Sequence, residues 1–245
     1  MDNGNILKIN KSAWVNYYSG PDQTREFPDD YIVRFYNRYL KKNIQPDGRV
    51  LDFGFGLGNN SLYFMKQKLD VYGIDIADSL IPSLRKSLKR AHCDASTADK
   101  FKIVKDNYKR LPYKSGYFDF ILANNVLYYY PSEKYIKEKC EELSRCLRPG
   151  GIVLFTMCGP YNSIMKHTKQ IRGTNLYQVS TEGKKFSVDN QIIYLVKSER
   201  HLKRLFSGFE PIDAGYHDEF LFGRRDFSWI FIGRKAVKKN RKMIL

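Results

Sequence analysis

The chain has 245 residues, 42% hydrophobic and 15% aromatic, which is room for one domain of ordinary size or two small ones and excludes a disordered or collagen-like chain. No apolar run approaches the roughly 18 residues a spanning helix needs; the longest, Gly150 to Gly159, is about half that. The net charge of +16 suits a nucleic-acid footprint or an anionic substrate, and equally a solvated basic surface.

Residues 1–8 carry no apolar segment of the secretory kind, so no leader is expected. The four cysteines (Cys93, Cys140, Cys146, Cys158) form no C-x-x-C pair and His is scarce, so reduced thiols, no metal site and a cytoplasmic location are expected. An aromatic-rich segment, Trp14-Val15-Asn16-Tyr17-Tyr18, precedes a predicted helix over Asp30–Lys41. From residue 49 apolar periodicity alternates between strand and helix. Strands are predicted at Arg49–Phe53, Val71–Ile74, Phe101–Val104, Phe118–Ala123 and Ile152–Thr156. Helices are predicted from Asn59 to Lys68, with Leu62, Met65 and Leu69 on one face, and from Ser79 to Arg90, with Leu80, Leu84 and Leu88 at helical spacing. Ser132 is placed as the cap of a helix running to Leu147. Residues 158–196 interrupt the alternation as an insertion over one end of the sheet, and a helix at Ser198–Phe206 and strands at Phe209–Gly215 and Phe227–Ile232 follow. The pattern implies an α/β fold, a doubly wound, mostly parallel seven-stranded sheet with helices on both faces.

The charge excess is uneven: net +1 over residues 1–48, +6 over 49–159 and +9 over 160–245, where residues 234–242 alone hold six positive charges. The reading is a single domain. Residues 1–48 are an N-terminal lid or helical segment, 49–157 the ligand-binding core, 158–233 the specificity region with the last strands, and 234–245 a basic tail.

The most informative segment is Val50-Leu51-Asp52-Phe53-Gly54-Phe55-Gly56-Leu57-Gly58-Asn59-Asn60. A strand feeds directly into alternating glycines, which let the backbone turn and approach a ligand without Cβ clashes. The run is not G-x-G-x-x-G, and no Gly-Lys-Ser/Thr follows. The acidic residue ahead of the first glycine disfavours a phosphate and suits a cationic, nucleoside-like ligand.

On these residues the chain resembles the class I S-adenosylmethionine-dependent methyltransferases, the resemblance covering residues 49–157 and extending weakly beyond. Asp52 to Gly58 is similar to the family's first motif, which lies against the methionine moiety. Gly73-Ile74-Asp75-Ile76 is similar to the second strand's end, whose acidic residue takes the ribose hydroxyls. Val104-Lys105-Asp106-Asn107 resembles the acidic position that holds the adenine amino group. Leu111-Pro112-Tyr113-Lys114-Ser115-Gly116-Tyr117-Phe118-Asp119 and Leu147-Arg148-Pro149-Gly150-Gly151 resemble the passages into strands four and five. The resemblance implies S-adenosyl-L-methionine as cofactor, held by Tyr18, Asp52, Gly54, Phe55, Gly56, Gly58, Asp75, Ile76, Asp106, Asn107 and Asn124. Trp14, Tyr17 and Tyr18 resemble a lid whose aromatics exclude water and attract the sulfonium, although a segment packed on the sheet edge would look the same.

After strand four, Ala123-Asn124-Asn125-Val126-Leu127-Tyr128 lacks the Asn-Pro-Pro-aromatic run of enzymes that methylate base amines. The expected activity is O-methylation of a small acceptor, with an anionic group such as a nucleotide-sugar, a glycan precursor or a phosphorus-containing group in view. Tyr128 and His217 are the catalytic candidates, Tyr128 to orient a hydroxyl and His217 as a base. Trp14, Tyr17, Arg172 and Arg224 are the acceptor-binding candidates, the arginines suiting an anion. The alternatives are an RNA or ribosomal methyltransferase, which the charge favours, and a non-catalytic cofactor-binding partner subunit.

Overall fold

The computed structural model describes residues 2–19, 27–105, 108–180 and 190–237. Asp106, Asn107 and the tail from residue 238 lie outside them. Five parallel strands, β1 (Arg49–Phe53), β2 (Asp70–Asp75), β3 (Phe101–Ile103), β4 (Phe118–Ala123) and β5 (Leu147–Cys158), are joined by the antiparallel pair β9 (Glu210–Leu221) and β10 (Arg224–Arg234) in the order β3-β2-β1-β4-β5-β10-β9. This is the expected seven-stranded, mostly parallel sheet.

Alternation along the strands decides which residues meet which layer. Leu51, Phe53, Ile121, Ala123, Val153 and Phe155 point to one face, where they pack with residues of α1 (Asn3–Tyr18), α5 (Glu133–Cys146) and α6 (Glu199–Leu205). Val50, Phe120, Leu122, Ile152 and Leu154 point to the other, against α2 (Asp30–Arg38), α3 (Asn59–Lys66) and α4 (Leu80–Arg90). Burial on both faces explains why these strands read as continuous apolar runs. Helix α4 buries Leu80, Leu84 and Leu88, and Ser132 caps α5 by accepting the Tyr135 N–H.

Three departures from the sequence reading have physical causes. The aromatic segment at residues 14–18 is the last turn of helix α1, whose Ile6 and Leu7 pack on the sheet. Helix α3 buries Ser61 and Phe64 most deeply, with Leu62 and Met65 partly buried against the same core, and the Ser61 hydroxyl donates to the buried Asp52 carboxylate at 2.6 Å. The last two strands are much longer than expected. β9 and β10 stay paired to the two-residue turn Phe222-Gly223, while β10 pairs with β5 only from Ser228 to Arg234. Residues 218–227 therefore project beyond β5 as a two-stranded arm. The insertion is a separate three-stranded sheet of β6 (Thr168–Gln170), β7 (Leu176–Val179) and β8 (Ile192–Tyr194).

Candidate active site

The strand order reverses between β1 and β4, and the crevice beyond the strand ends at such a point is where open α/β sheets bind ligands. A cavity of about 530 Å³ lies there, lined by the β1 loop, the ends of β2 and β4, the last turns of α1, and the arm.

Its floor is the glycine loop. Gly54, Gly56 and Gly58 all have positive φ, 78°, 51° and 81°, a conformation that disfavours any residue with a Cβ. They do different work. A Cβ on Gly54 would lie 2.7 Å from Val126 Cγ2, and one on Gly56 would lie 2.8 Å from the Tyr18 hydroxyl. A Cβ on Gly58, which caps α3, would instead strike Leu84 Cδ1 of α4 at 2.6 Å. Gly54, Phe55 and Gly56 line the cavity; Gly58 lies outside its lining and lets α3 close on α4.

Asp75 and Ile76, at the end of β2, both line the cavity. Asp75 Oδ2 accepts the Gly56 N–H at 3.0 Å, and Oδ1 accepts those of Ile76 and Ala77 at 2.6 and 3.3 Å. Burial pushes its carboxyl above the usual range, against the pull of those three donors. Asp52 is outside the lining. It is 2% exposed beneath the loop, and burial pushes its carboxyl up to about 7 despite the Ser61 hydroxyl. Its place is to tie α3 to β1.

Asn124 lines the cavity with its side chain fully engaged: Nδ2 donates to Asp29 at 2.7 Å, while Oδ1 accepts the Tyr31 hydroxyl at 2.8 Å. Asn125 follows at φ +53°. Its N–H is fixed by the buried Thr156 Oγ1 at 2.7 Å, and the Thr156 hydroxyl in turn lies 3.1 Å from Asn124 Oδ1. Asp29 and Tyr31, at the start of α2, and Thr156, in β5, were not legible as site residues because they meet Asn124 only in the fold.

The roof is α1. Trp14, Tyr17 and Tyr18 line the cavity, Trp14 stacked on Tyr18 at 5.3 Å between centroids and edge-on to Tyr129 at 5.2 Å. Asn10, 3% exposed, holds the helix in place. Its amide donates to the carbonyls of Tyr129 (2.7 Å) and Ile192 (2.8 Å) and accepts the Ile192 N–H (2.8 Å).

The remaining wall is one face of the arm. Leu221, Glu219 and His217 stand opposite Arg224, Asp226 and Ser228 in register. The first two pairs and Ser228 line the cavity, and His217 does not. His217 lies inside β9, not in a loop after it, with its ring 5.1 Å from that of Tyr31 and its nitrogens 4.0 Å from Asp30 and 3.8 Å from Glu219. Arg172 is exposed in the β6–β7 turn, outside the lining. Arg225 also borders the cavity, but its guanidinium is held by Asp218 in two bonds of 2.7 and 2.6 Å. Tyr128 lines the cavity, and burial holds its phenol protonated. Its oxygen accepts the Tyr129 hydroxyl at 3.3 Å, so the protonated phenol can donate its own hydrogen. Cys158 also faces the cavity with its thiol pushed up to about 12 by burial, which excludes it as a nucleophile near neutrality.

These residues fit a cationic nucleoside. The glycine cradle has no room for a side chain, a buried carboxylate stands at the end of β2, and aromatic faces supply the attraction for a cation. The sheet order and this crevice define a Rossmann-like methyltransferase fold. A family model described as a methyltransferase domain matches residues 51–155. A malonyl-[acyl-carrier protein] O-methyltransferase of Legionella pneumophila is 26% identical over 129 residues, 52% of this chain and 42% of that protein. The chain thus spans less than half of that relative's length. A phthiotriol/phenolphthiotriol dimycocerosates methyltransferase of Mycobacterium ulcerans is 24% identical over 81% of this chain and 71% of its own. The structure of 1,6-didemethyltoxoflavin-N1-methyltransferase from Burkholderia thailandensis, with S-adenosylhomocysteine bound, matches with a TM-score of 0.68 at 18% identity, covering 97% of this chain and 92% of that one. Over residues 51–155 the chain thus matches a methyltransferase domain, on a fold it shares with S-adenosylmethionine-dependent methyltransferases.

Proposed function

We propose that the protein methylates an oxygen atom of a small acceptor bound between Tyr128 and the inner face of the arm. One observation carries this reading: the glycine loop, Asp75 and the arm open onto a single cavity of about 530 Å³ roofed by α1. That volume lies within the range of small-ligand pockets, and the roof favours a small acceptor over a folded RNA.

When bound, S-adenosylmethionine supplies an electrophilic methyl group on a sulfonium. Gly54 and Gly56 would support it through backbone contact, and Asp75 would take the ribose hydroxyls. Trp14, Tyr17 and Tyr18 exclude water and favour the positive charge. Tyr128 donates a hydrogen bond to the acceptor oxygen. Asp226, whose Oδ1 accepts from Asn162 Nδ2 at 3.1 Å, and Glu219 place carboxylates on the same wall, where one can take the acceptor proton. The rest of the acceleration is alignment. For an anionic acceptor, Arg224 is the better-placed of Arg172 and Arg224, since it lines the cavity and Arg172 does not. The lining sets Asp29, Asp75, Glu219 and Asp226 against Arg224 and Arg225, a balance that supports an acceptor with at most one negative group. The free cysteines accord with a cytoplasmic location.

The test is transfer of labelled methyl groups from S-adenosylmethionine to a panel of small hydroxylated compounds, with total RNA as a parallel acceptor. Labelling of a small hydroxyl compound is the expected result. Labelling confined to RNA, with binding that falls steeply as salt rises, would overturn it. Cofactor binding without labelling of any acceptor would favour the partner-subunit alternative.

A further inference from the structure

The arm does more than wall the cavity. Its outer end is apolar where a merely solvated hairpin would be polar. Phe220 is 67% exposed, Leu221 52% and Phe222 97%. Tyr216 on the outer face of β9 and Tyr161 beside it are exposed as well. Contiguous exposed apolar residues of this kind mark interaction surfaces.

The turn chemistry is equally unusual. Phe222 and Gly223 have φ of +50° and +74°, the geometry of a two-residue hairpin turn that Asn-Gly fills best. A bulky aromatic at positive φ is disfavoured, and here the ring gains no packing in return. Neither conformation nor burial accounts for Phe222.

We propose that this tip is a docking finger that seats the cavity mouth on an anionic lipid bilayer. Three observations select that occupant. First, arginines stand directly behind the apolar tip: Arg224 is opposite Leu221 and Arg225 opposite Phe220 in the hairpin register. With Phe222 in the boundary between headgroups and acyl chains, Arg224 and Lys166 supply cations for the phosphates, Lys166 adjoining Phe220 and Arg225, whose own charge is paired with Asp218. Of the nearby carboxylates, Asp218 is bound to Arg225, while Glu219 and Asp226 share the cavity face with Arg224 behind the tip. Second, the chain carries a net charge of +16, and attraction of basic residues to anionic lipids adds to a small apolar insertion. Third, Leu221 belongs both to the exposed tip and to the cavity lining. The finger is therefore the rim of the mouth, and an amphiphilic acceptor could pass from the membrane surface to Tyr128 without crossing open water.

Vesicle sedimentation of the full chain tests this independently of methyl transfer, so its failure leaves the enzymatic reading intact. The probes are phosphatidylcholine vesicles with and without phosphatidylglycerol. The protein is expected to bind the anionic vesicles, and high salt to weaken that binding. Phe222→Asn should reduce binding by about tenfold, the scale of one aromatic side chain transferred from water, while leaving thermal stability equal or raised because Asn suits the turn. Phe220→Ser with Phe222→Asn should abolish it. Absence of vesicle binding, or binding that survives both substitutions, would overturn the proposal. So would a dimer, or a complex with another protein, that the substitutions dissolve while vesicle binding stays unchanged.

Discussion

Replacing Asn10 by Leu should loosen the roof of the site by removing the buried hydrogen bonds that hold it. The native amide satisfies three backbone groups: the carbonyls of Tyr129 and Ile192 and the Ile192 N–H, at 2.7 to 2.8 Å. Ile192 lies on the outer strand of the small sheet and pairs with Gln178 on its other side, so Asn10 stands where a further strand would. Leu fills a similar volume and can offer none of the three bonds. Each buried group left unsatisfied costs about 1–3 kcal/mol. With some water reaching the half-buried Tyr129 carbonyl, the sum is about 3–5 kcal/mol. For a chain of this size, where each kcal/mol shifts the midpoint by about 2–4 °C, Tm should fall by roughly 6–20 °C. Thermal unfolding followed by circular dichroism reads the stability, and calorimetric titration with S-adenosylhomocysteine reads the site. Both should decline together, because Trp14, Tyr17 and Tyr18 follow Asn10 on the same helix. An Asn10→Leu protein with wild-type Tm and wild-type affinity would refute the claim that this residue fixes the lid.

Two further substitutions address the loop and the strand-four turn. Thr156→Val removes the acceptor for the Asn125 N–H and should cost about 1–3 kcal/mol in denaturant unfolding while weakening S-adenosylhomocysteine binding; Thr156→Ser should restore both, and a silent valine variant would show that Asn125 holds its positive φ without help. Asp52→Asn tests the buried carboxyl, which rises from an ordinary 3.8 to about 7 in the folded protein. A raised folded-state value means that the folded state holds a proton the unfolded chain has lost, so this contribution is complete below about pH 4 and is lost as pH climbs through 7. The variant should therefore be more stable than wild type at pH 8, by on the order of 2–4 kcal/mol, with the advantage shrinking toward pH 5. An advantage that grows on acidification would contradict the assignment.

The parallel half of the fold was legible because its signals are local. Strand β1 runs straight into glycines, Asp75 closes β2, and α4 repeats Leu at helical spacing. What escaped the sequence depends on partners distant along the chain. Asn10 reads as one polar residue in a helix until Ile192 and Tyr129 arrive beside it. Ser61 reads as one polar residue beside the apolar Leu62 and Met65 until Asp52 is found beneath it. The arm was missed because Phe-Gly is a poor turn signal and because charged residues on its inner face look like a loop when no cavity is known to lie beside them. For the same reason the place of His217 is not local information: it shares the arm's inner face, one pair behind the cavity, with Tyr31 against its ring. Arg172 lies in a turn of the separate small sheet, whose position no local signal reveals.

The central claim is that the crevice at the end of β1 and β2 holds S-adenosylmethionine with Asp75 as its principal polar anchor. Calorimetric titration of the wild-type chain and of Asp75→Ala with S-adenosylhomocysteine tests it most directly. The account predicts saturable binding of one molecule per wild-type chain and a loss of at least about tenfold, or 1.4 kcal/mol, in the variant. Absence of binding to the wild type, or an Asp75→Ala protein of undiminished affinity, would contradict it.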